Sequence, residues 1–437
     1  MKPIEFNYQS SLISTNELIP LFEQLLPTID NIKAARTSDY NNHYASIDLP
    51  FDKELVTQIT NLVKDKKSLN PTILVVIGIG GSNLGTMAVL ESLRGIFYNI
   101  HHPIKVYFAD TVDSDQINTI AELITDQLES GNNIILNVIS KSGATTETIA
   151  NFEILLSILK SHRPYNYHNF VIATTDEGSP LWNLSVEEKF FLLAIPKNVG
   201  GRYSVLSAVG LFPLCFLDID IEELCAGAQS GFIISTEKNF TKNYAALSAM
   251  NITHHYKKGK LIHDTFLFST ALHYFGAWYR QLSAESIGKA LNLHNNEVHI
   301  GLLPTVSIGS TDLHSVAQLY LAGPHNRFTS FISVEKNQTD LITPDWPEFE
   351  RVTPHIQNKK LISLMNAILQ GTKAAYSDDK RPFISWIIPE KSAYHIGQLL
   401  QIKMVEIIYV GALLNINPFD QPEVEKYKRE TKKILER

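Results

Sequence analysis

Cysteine is scarce in this 437-residue chain, which carries only Cys215 and Cys225. Two thiols in a Leu/Phe/Ile-rich stretch do not make a disulfide framework, and neither stands at metal-ligand spacing from a histidine. Both are expected to be buried, reduced and inert. Positive charge is short as well: 38 Lys and Arg against 45 Asp and Glu leave a formal net charge of -7. That balance argues against a nucleic-acid partner, whose phosphates demand clustered cations, so any anionic ligand must be held by a local site. The basic runs at 64–67 and 426–433 are interleaved with acids in helical patterns and read as solvated faces. Long apolar runs are missing too. The longest, residues 402–414, contains Lys403 and Glu406 and is too short to span a membrane. Residues 1–10 show no charged stretch followed by an apolar one, so no leader is expected and the cytoplasm is the expected compartment.

What is present describes an ordinary globular protein, 44% hydrophobic and 19% charged, too long for one core and therefore expected to form two domains. Residues 1–68 read as a helical segment prefacing the first domain, with an apolar stripe through Leu18, Leu21, Phe22, Leu25 and Leu26. From residue 72 onward, short β-branched runs alternate with helical patterns. Strands are expected at 73–79, 105–109, 134–139, 170–174 and 190–195, with helices at 114–128 and 145–160. Runs that are apolar throughout belong to strands covered on both faces, and helices between them imply right-handed βαβ crossovers. The same grammar returns after a Gly/Arg turn at 200–202. A helical stretch is expected near 204–217, strands at 265–268, 299–303, 330–334 and 383–388, and long helices at 270–291 and 391–414. Residues 338–355 and 376–382 read as loops. The expected fold is α/β: two α-β-α sandwich domains, 69–198 and 199–437, each with a mainly parallel sheet flanked by helices.

Two Ser-rich turns lie where a buried strand runs into a helix. One is Gly80-Gly81-Ser82-Asn83-Leu84-Gly85; the other is Ser140-Lys141-Ser142-Gly143-Ala144-Thr145-Thr146-Glu147-Thr148. Hydroxyls, free backbone N–H groups and a lysine gathered at helix N-termini favour a phosphate dianion. The first turn lacks the third glycine of a dinucleotide fingerprint, since Asn83 stands there, and neither turn is a G-x-x-x-x-G-K-[ST] loop. A phosphorylated small molecule is the ligand class that remains.

These two turns, together with Asn198-Val199-Gly200-Gly201-Arg202-Tyr203-Ser204-Val205-Leu206-Ser207 and Phe419-Asp420-Gln421-Pro422-Glu423-Val424-Glu425-Lys426-Tyr427-Lys428, resemble in order and spacing the glucose-6-phosphate isomerase family. The resemblance spans residues 72–430. It implies two sugar-isomerase (SIS) domains, a homodimer with active sites at the subunit interface, a hexose phosphate substrate, and neither metal nor cofactor. By similarity Ser140, Lys141, Ser142 and Thr145 hold the sugar phosphate, with Gly81 and Ser82 lining the pocket. Glu285 matches the family's catalytic base, because one carboxylate on one face of a cis-enediol can carry a proton between C2 and C1. Arg202 matches the cation that stabilises the enediolate, a task for a side chain that cannot give up its proton. His314, reaching across from the partner subunit, and Lys428 match the groups that open the sugar ring, and Glu147 resembles a glutamate that orients the lysine. Two positions depart from the family pattern: Glu423 stands where glycine is usual, and Ala144 replaces a hydroxyl residue.

Two other readings stay open. One is a related SIS isomerase of different or broader specificity. The other is a phosphosugar-binding regulatory protein, which needs the phosphate cradle but not Glu285, Arg202, His314 and Lys428 together.

Overall fold

The computed structural model describes residues 2–36 and 39–436. Its strands, in chain order, are β1 (Glu5–Asn7), β2 (Pro71–Ile77), β3 (Lys105–Ala109), β4 (Asn133–Ile139), β5 (Val171–Thr175), β6 (Phe191–Ala194), β7 (Ile262–Phe268), β8 (Lys289–Leu291), β9 (Glu297–Ile300), β10 (Leu303–Ile308), β11 (Arg327–Lys336) and β12 (Phe383–Glu390). The uninterrupted apolar runs of β2 and β4 form the middle of a parallel five-stranded sheet of order β3-β2-β4-β5-β6. Ile134, Ile135, Leu136, Val138 and Ile139 are all fully buried, as strands covered on both faces require. The Ser114–Glu129 helix falls where the sequence places it. Asp113 caps it, its carboxylate accepting from the backbone N–H of Asp115 at 3.1 Å and of Gln116 at 3.0 Å.

A second five-stranded sheet has the order β1-β12-β11-β7-β10, parallel except for β1. The outlying β1 shows how the N-terminal segment is used. It pairs with β12, and the Thr15–Ala34 helix packs on the Tyr244–Lys257 and Ala393–Leu413 helices, so this part of the chain belongs beside the second sheet. Conversely, the Ala208–Phe216 helix returns to pack on Lys53–Lys67 and Leu84–Arg94 beside the first. Each sheet is therefore completed by chain from the other half. One hydrophobic core runs from Ile4 to Ile416 across both sheets, and a smaller cluster of Phe266, Phe331, Leu369 and Tyr376 fills the outer face of the second.

Several expectations are corrected. The helix expected over 270–291 spans His273–Ile287, and Lys289 already begins β8. The strand expected at 299–303 straddles two, residues 299–300 ending β9 and Leu303 beginning β10, and the strand that joins the second sheet is β10 at 303–308. Its run Leu-Pro-Thr-Val-Ser-Ile is too polar to read as buried, yet Thr305 and Ser307 donate to the fully buried Asp264 at 2.5 and 3.1 Å. Residues 376–378 are the last turn of the Leu361–Asp378 helix, and a short helix, Pro347–Glu350, interrupts the segment 338–355. Cys225 is buried but Cys215 is only half-buried; both are free, and burial pushes both thiols up, Cys225 to about 12. Among the described residues one helix, Ala393–Leu413, is long and apolar enough to cross a membrane, and it is a core helix with 94% of its apolar window buried.

Candidate active site

In the first sheet β2 has β3 on one side and β4 on the other, so the crossovers leaving β2 and β4 go opposite ways. This is the switch point of an open parallel sheet, where a crevice opens at the carboxyl ends of the strands. Both Ser-rich turns leave from it, the first after β2 and the second after β4. In the second turn the hydroxyls converge: Ser140 Oγ lies 2.9 Å and Ser142 Oγ 3.5 Å from Thr145 Oγ1, at the start of the Thr146–His162 helix. Gly143 takes φ +65° there, with no room for a Cβ against Ser179. Lys141 does not point among these hydroxyls; its Nζ donates to the Lys197 carbonyl at 2.6 Å. Burial lowers its pKa, while the carboxylate of Asp176 opposes that shift.

The first turn is pressed against the Gly/Arg turn. A Cβ on Gly81 would sit 2.2 Å from the carbonyl carbon of Gly201, so only glycine lets the two backbones meet. That contact sets the position of Arg202, which is buried, with a side chain that reaches the other half of the molecule. Its Nε donates to Ser286 Oγ at 2.8 Å, Nη1 to Glu285 Oε2 at 3.3 Å and to Gln421 Oε1, and Nη2 to the carbonyls of Pro418 at 2.7 Å and Asp420 at 3.1 Å. Glu285 and Ser286 lie in the last turn of the His273–Ile287 helix. Glu285 is 30% exposed on its side chain, and its Oε1 accepts from Gln281 Nε2 at 2.9 Å. Gln281 Nε2 would itself stand 2.9 Å from a Cβ on Gly80, which ties the carboxylate back to the first turn. The arrangement offers a carboxylate open on one side, a fixed guanidinium beside it and a cluster of hydroxyls across the crevice. It can move a proton and stabilise developing negative charge.

The remaining expected residues make no hydrogen bond or ion pair with Arg202 or Glu285. His314 ends a short turn after β10, exposed, and its ring makes no hydrogen bond or ion pair among the described residues. Lys428 pairs with Glu425 at 2.7 Å on the Val424–Leu435 helix, which has no buried residue. Glu147 is half-buried at the start of its helix, and its carboxylate pairs with no described residue. Glu423 precedes the C-terminal helix and pairs with Lys426. No group of three or more His, Cys, Asp or Glu able to hold a metal ion occurs among the described residues. Sequence reasoning missed Gln281, Ser286, Lys289 and the role of Gln421. Gln281 stands four residues before Glu285, one helical turn away, and that spacing was available as a signal; Lys289 lies beyond the end of the helix, in β8, and carried none.

The phosphoglucose isomerase family model matches residues 64–437. A glucose-6-phosphate isomerase of Carboxydothermus hydrogenoformans is 35% identical over 370 residues, 83% of this chain and 78% of that protein. One of Alkaliphilus metalliredigens is 33% identical over 442 residues, 98% of this chain and 95% of that protein. Among solved structures, a hypothetical protein of Thermus thermophilus superposes with a TM-score of 0.87 at 26% identity, covering 99% of each chain. A glucose-6-phosphate isomerase of Chlamydia trachomatis shares the fold, with a TM-score of 0.84 at 20% identity over 100% of this chain and 89% of that one. The match over residues 64–437, with relatives above 30% identity along nearly the whole chain, means that this protein belongs to the phosphoglucose isomerase family.

Proposed function

We propose that the chain interconverts glucose 6-phosphate and fructose 6-phosphate by ring opening and proton transfer through a cis-enediol. Family membership supports the reaction and its hexose phosphate substrate. The observation that carries the assignment to this crevice is the buried Arg202 held 3.3 Å from the partly open carboxylate of Glu285.

In this reading the sugar phosphate is held by the hydroxyls of Ser140, Ser142 and Thr145 and the N–H groups of their turn, with Lys141 swinging from the Lys197 carbonyl to add charge. Gly81 and Ser82 line the sugar's path. His314 and Lys428 open the ring by passing a proton to the ring oxygen and taking one from the anomeric hydroxyl, and Glu147 orients the lysine. Glu285 then removes the proton from C2. The C2–H electrons form the C1=C2 bond, the carbonyl electrons move onto O1, and Arg202 stabilises that oxygen. The hydroxyl proton passes from O2 to O1, and Glu285 returns its proton to C1, leaving the ketone at C2. Reversal follows the same path.

His314 is exposed and makes no hydrogen bond or ion pair with the Arg202 cluster, so we assign a homodimer in which the partner subunit's His314 completes each site. Exposed Leu341, Ile342, Trp346, Phe349 and Val352 offer apolar surface for that association. The free thiols fit a reducing cytoplasm.

The test is conversion of fructose 6-phosphate with EDTA present, coupled to NADP reduction by an auxiliary dehydrogenase. Turnover is expected to survive chelation and to fall by about 10²- to 10⁴-fold in Glu285→Gln. Affinity for sorbitol 6-phosphate, a polyol phosphate with no carbonyl to isomerise, should persist in that variant. Near-wild-type turnover in Glu285→Gln would remove Glu285 as the base.

A further inference from the structure

Lys289 is the one buried cation beside the Arg202 cluster, among the described residues, to which the reaction above gives no task. Its side chain is 6% exposed, and all three of its donors are used. Nζ donates to the backbone carbonyl of Glu285 at 3.0 Å, to the Asp420 carbonyl, and lies 3.0 Å from Asp420 Oδ1. The first of these is unusual in what it fixes. The helix ends at Ile287, so its last carbonyls have no partner within the helix, and Lys289 supplies one to Glu285 itself. The other two acceptors belong to the loop that grips Arg202. Asp420 O takes a hydrogen bond from Arg202 Nη2 as well as from Lys289, Pro418 O takes another from Arg202, and Gln421 follows directly. Burial lowers the Lys289 pKa, and the Asp420 carboxylate opposes that shift.

We propose that Lys289 is a positioning residue for isomerisation: one ammonium fastens the backbone of Glu285 to the 418–421 loop, and so sets the spacing between base and guanidinium. The proposal rests on Glu285 and Arg202 acting as assigned above. Substrate phosphate is bound across the crevice by a different turn, so loss of the fastening should reach the chemical step and spare binding.

The experiment compares Lys289→Met with the wild-type chain by steady-state kinetics on fructose 6-phosphate and by calorimetric titration with sorbitol 6-phosphate. The expected result is a fall in kcat of about 10- to 100-fold, from misplacement of a general base, with KM and sorbitol 6-phosphate affinity within about threefold of wild type. A kcat within threefold of wild type overturns the proposal, and so does a loss of polyol phosphate affinity as large as the loss of kcat. If Lys289→Met does not fold, truncating the Asp420 side chain removes one acceptor and leaves the carbonyl. That fallback is made as Asp420→Ala, because asparagine would keep an accepting amide oxygen; it should show the same selective fall in kcat, about three- to tenfold, and an unchanged kcat overturns the proposal equally. Failure of the underlying assignment is read separately, from Glu285→Gln.

Discussion

At the scale of single residues, Arg202 illustrates how tightly the site constrains chemistry. Five acceptors surround one guanidinium: a carboxylate, an amide, a hydroxyl and two backbone carbonyls. A lysine has three donors on one atom and no planar fork, so it can satisfy only part of that set. Arg202→Lys is expected to lower kcat/KM by about 10²- to 10³-fold, the scale seen when a preorganised oxyanion donor is lost. It should also cost about 2–3 kcal/mol of stability in urea unfolding, because buried acceptors are stranded. Wild-type kcat/KM in that variant would refute the electrostatic role. Lys141 shows the opposite case. Its ammonium, only partly buried, rests on a single acceptor, the Lys197 carbonyl at 2.6 Å, and in the proposed reading swings from it to the sugar phosphate.

At the scale of elements, the His273–Ile287 helix carries Gln281, Glu285 and Ser286 at one end and is anchored at the other by a residue from elsewhere. Leu272 gives its N-terminus no side-chain cap. Glu91, on the Leu84–Arg94 helix, accepts from the Tyr274 N–H at 3.3 Å instead. Desolvation of that carboxyl raises its pKa from 4.5 to about 7, against the pull of the Tyr274 and His273 backbone N–H groups. A raised carboxyl pKa means that the folded state holds its proton more tightly than the unfolded chain does. Glu91 therefore penalises folding progressively as pH rises from about 4.5 to about 7, with the full penalty present above that. Glu91→Gln should be more stable than the wild type at pH 8 by on the order of 1–3 kcal/mol and indistinguishable from it well below the unfolded pKa, measured by urea titration at several pH values. Equal stability at pH 8 would show that the carboxyl is not desolvated. Helices with one apolar stripe were legible in the sequence. The Tyr244–Lys257 helix was not, because small residues such as Ala245, Ala246 and Ala249 let it be buried on nearly every side, and the Ile221–Ser235 helix was not, because Gly227, Ala228 and Gly231 on its one buried face weaken the stripe.

At the scale of the whole molecule, the proposed transfer of His314 between subunits has a direct test. Neither His314→Ala nor Glu285→Gln homodimers should be active. Mixing the two through reversible unfolding should restore about one quarter of wild-type specific activity, since half the dimers are mixed and each mixed dimer has one intact site. A mixture that stays inactive would place His314 within its own subunit's site. The alternation of apolar runs and helical patterns was enough to predict two parallel sheets, because a strand covered on both faces has to be apolar throughout. The proposal of a phosphate site likewise rests on local signals, the serines and glycines at the ends of β2 and β4, because backbone donors and small residues at a helix N-terminus act locally. What no local pattern could carry was the meeting of distant segments. The sequence did not show that β1 closes the second sheet, that Gly81 backs onto Gly201, or that Arg202, Glu285, Lys289 and the 418–421 loop share one set of hydrogen bonds. Apart from the Lys289–Glu285 contact, those join residues 83 or more positions apart, and only the packing of both sheets around a common core brings them within bonding distance.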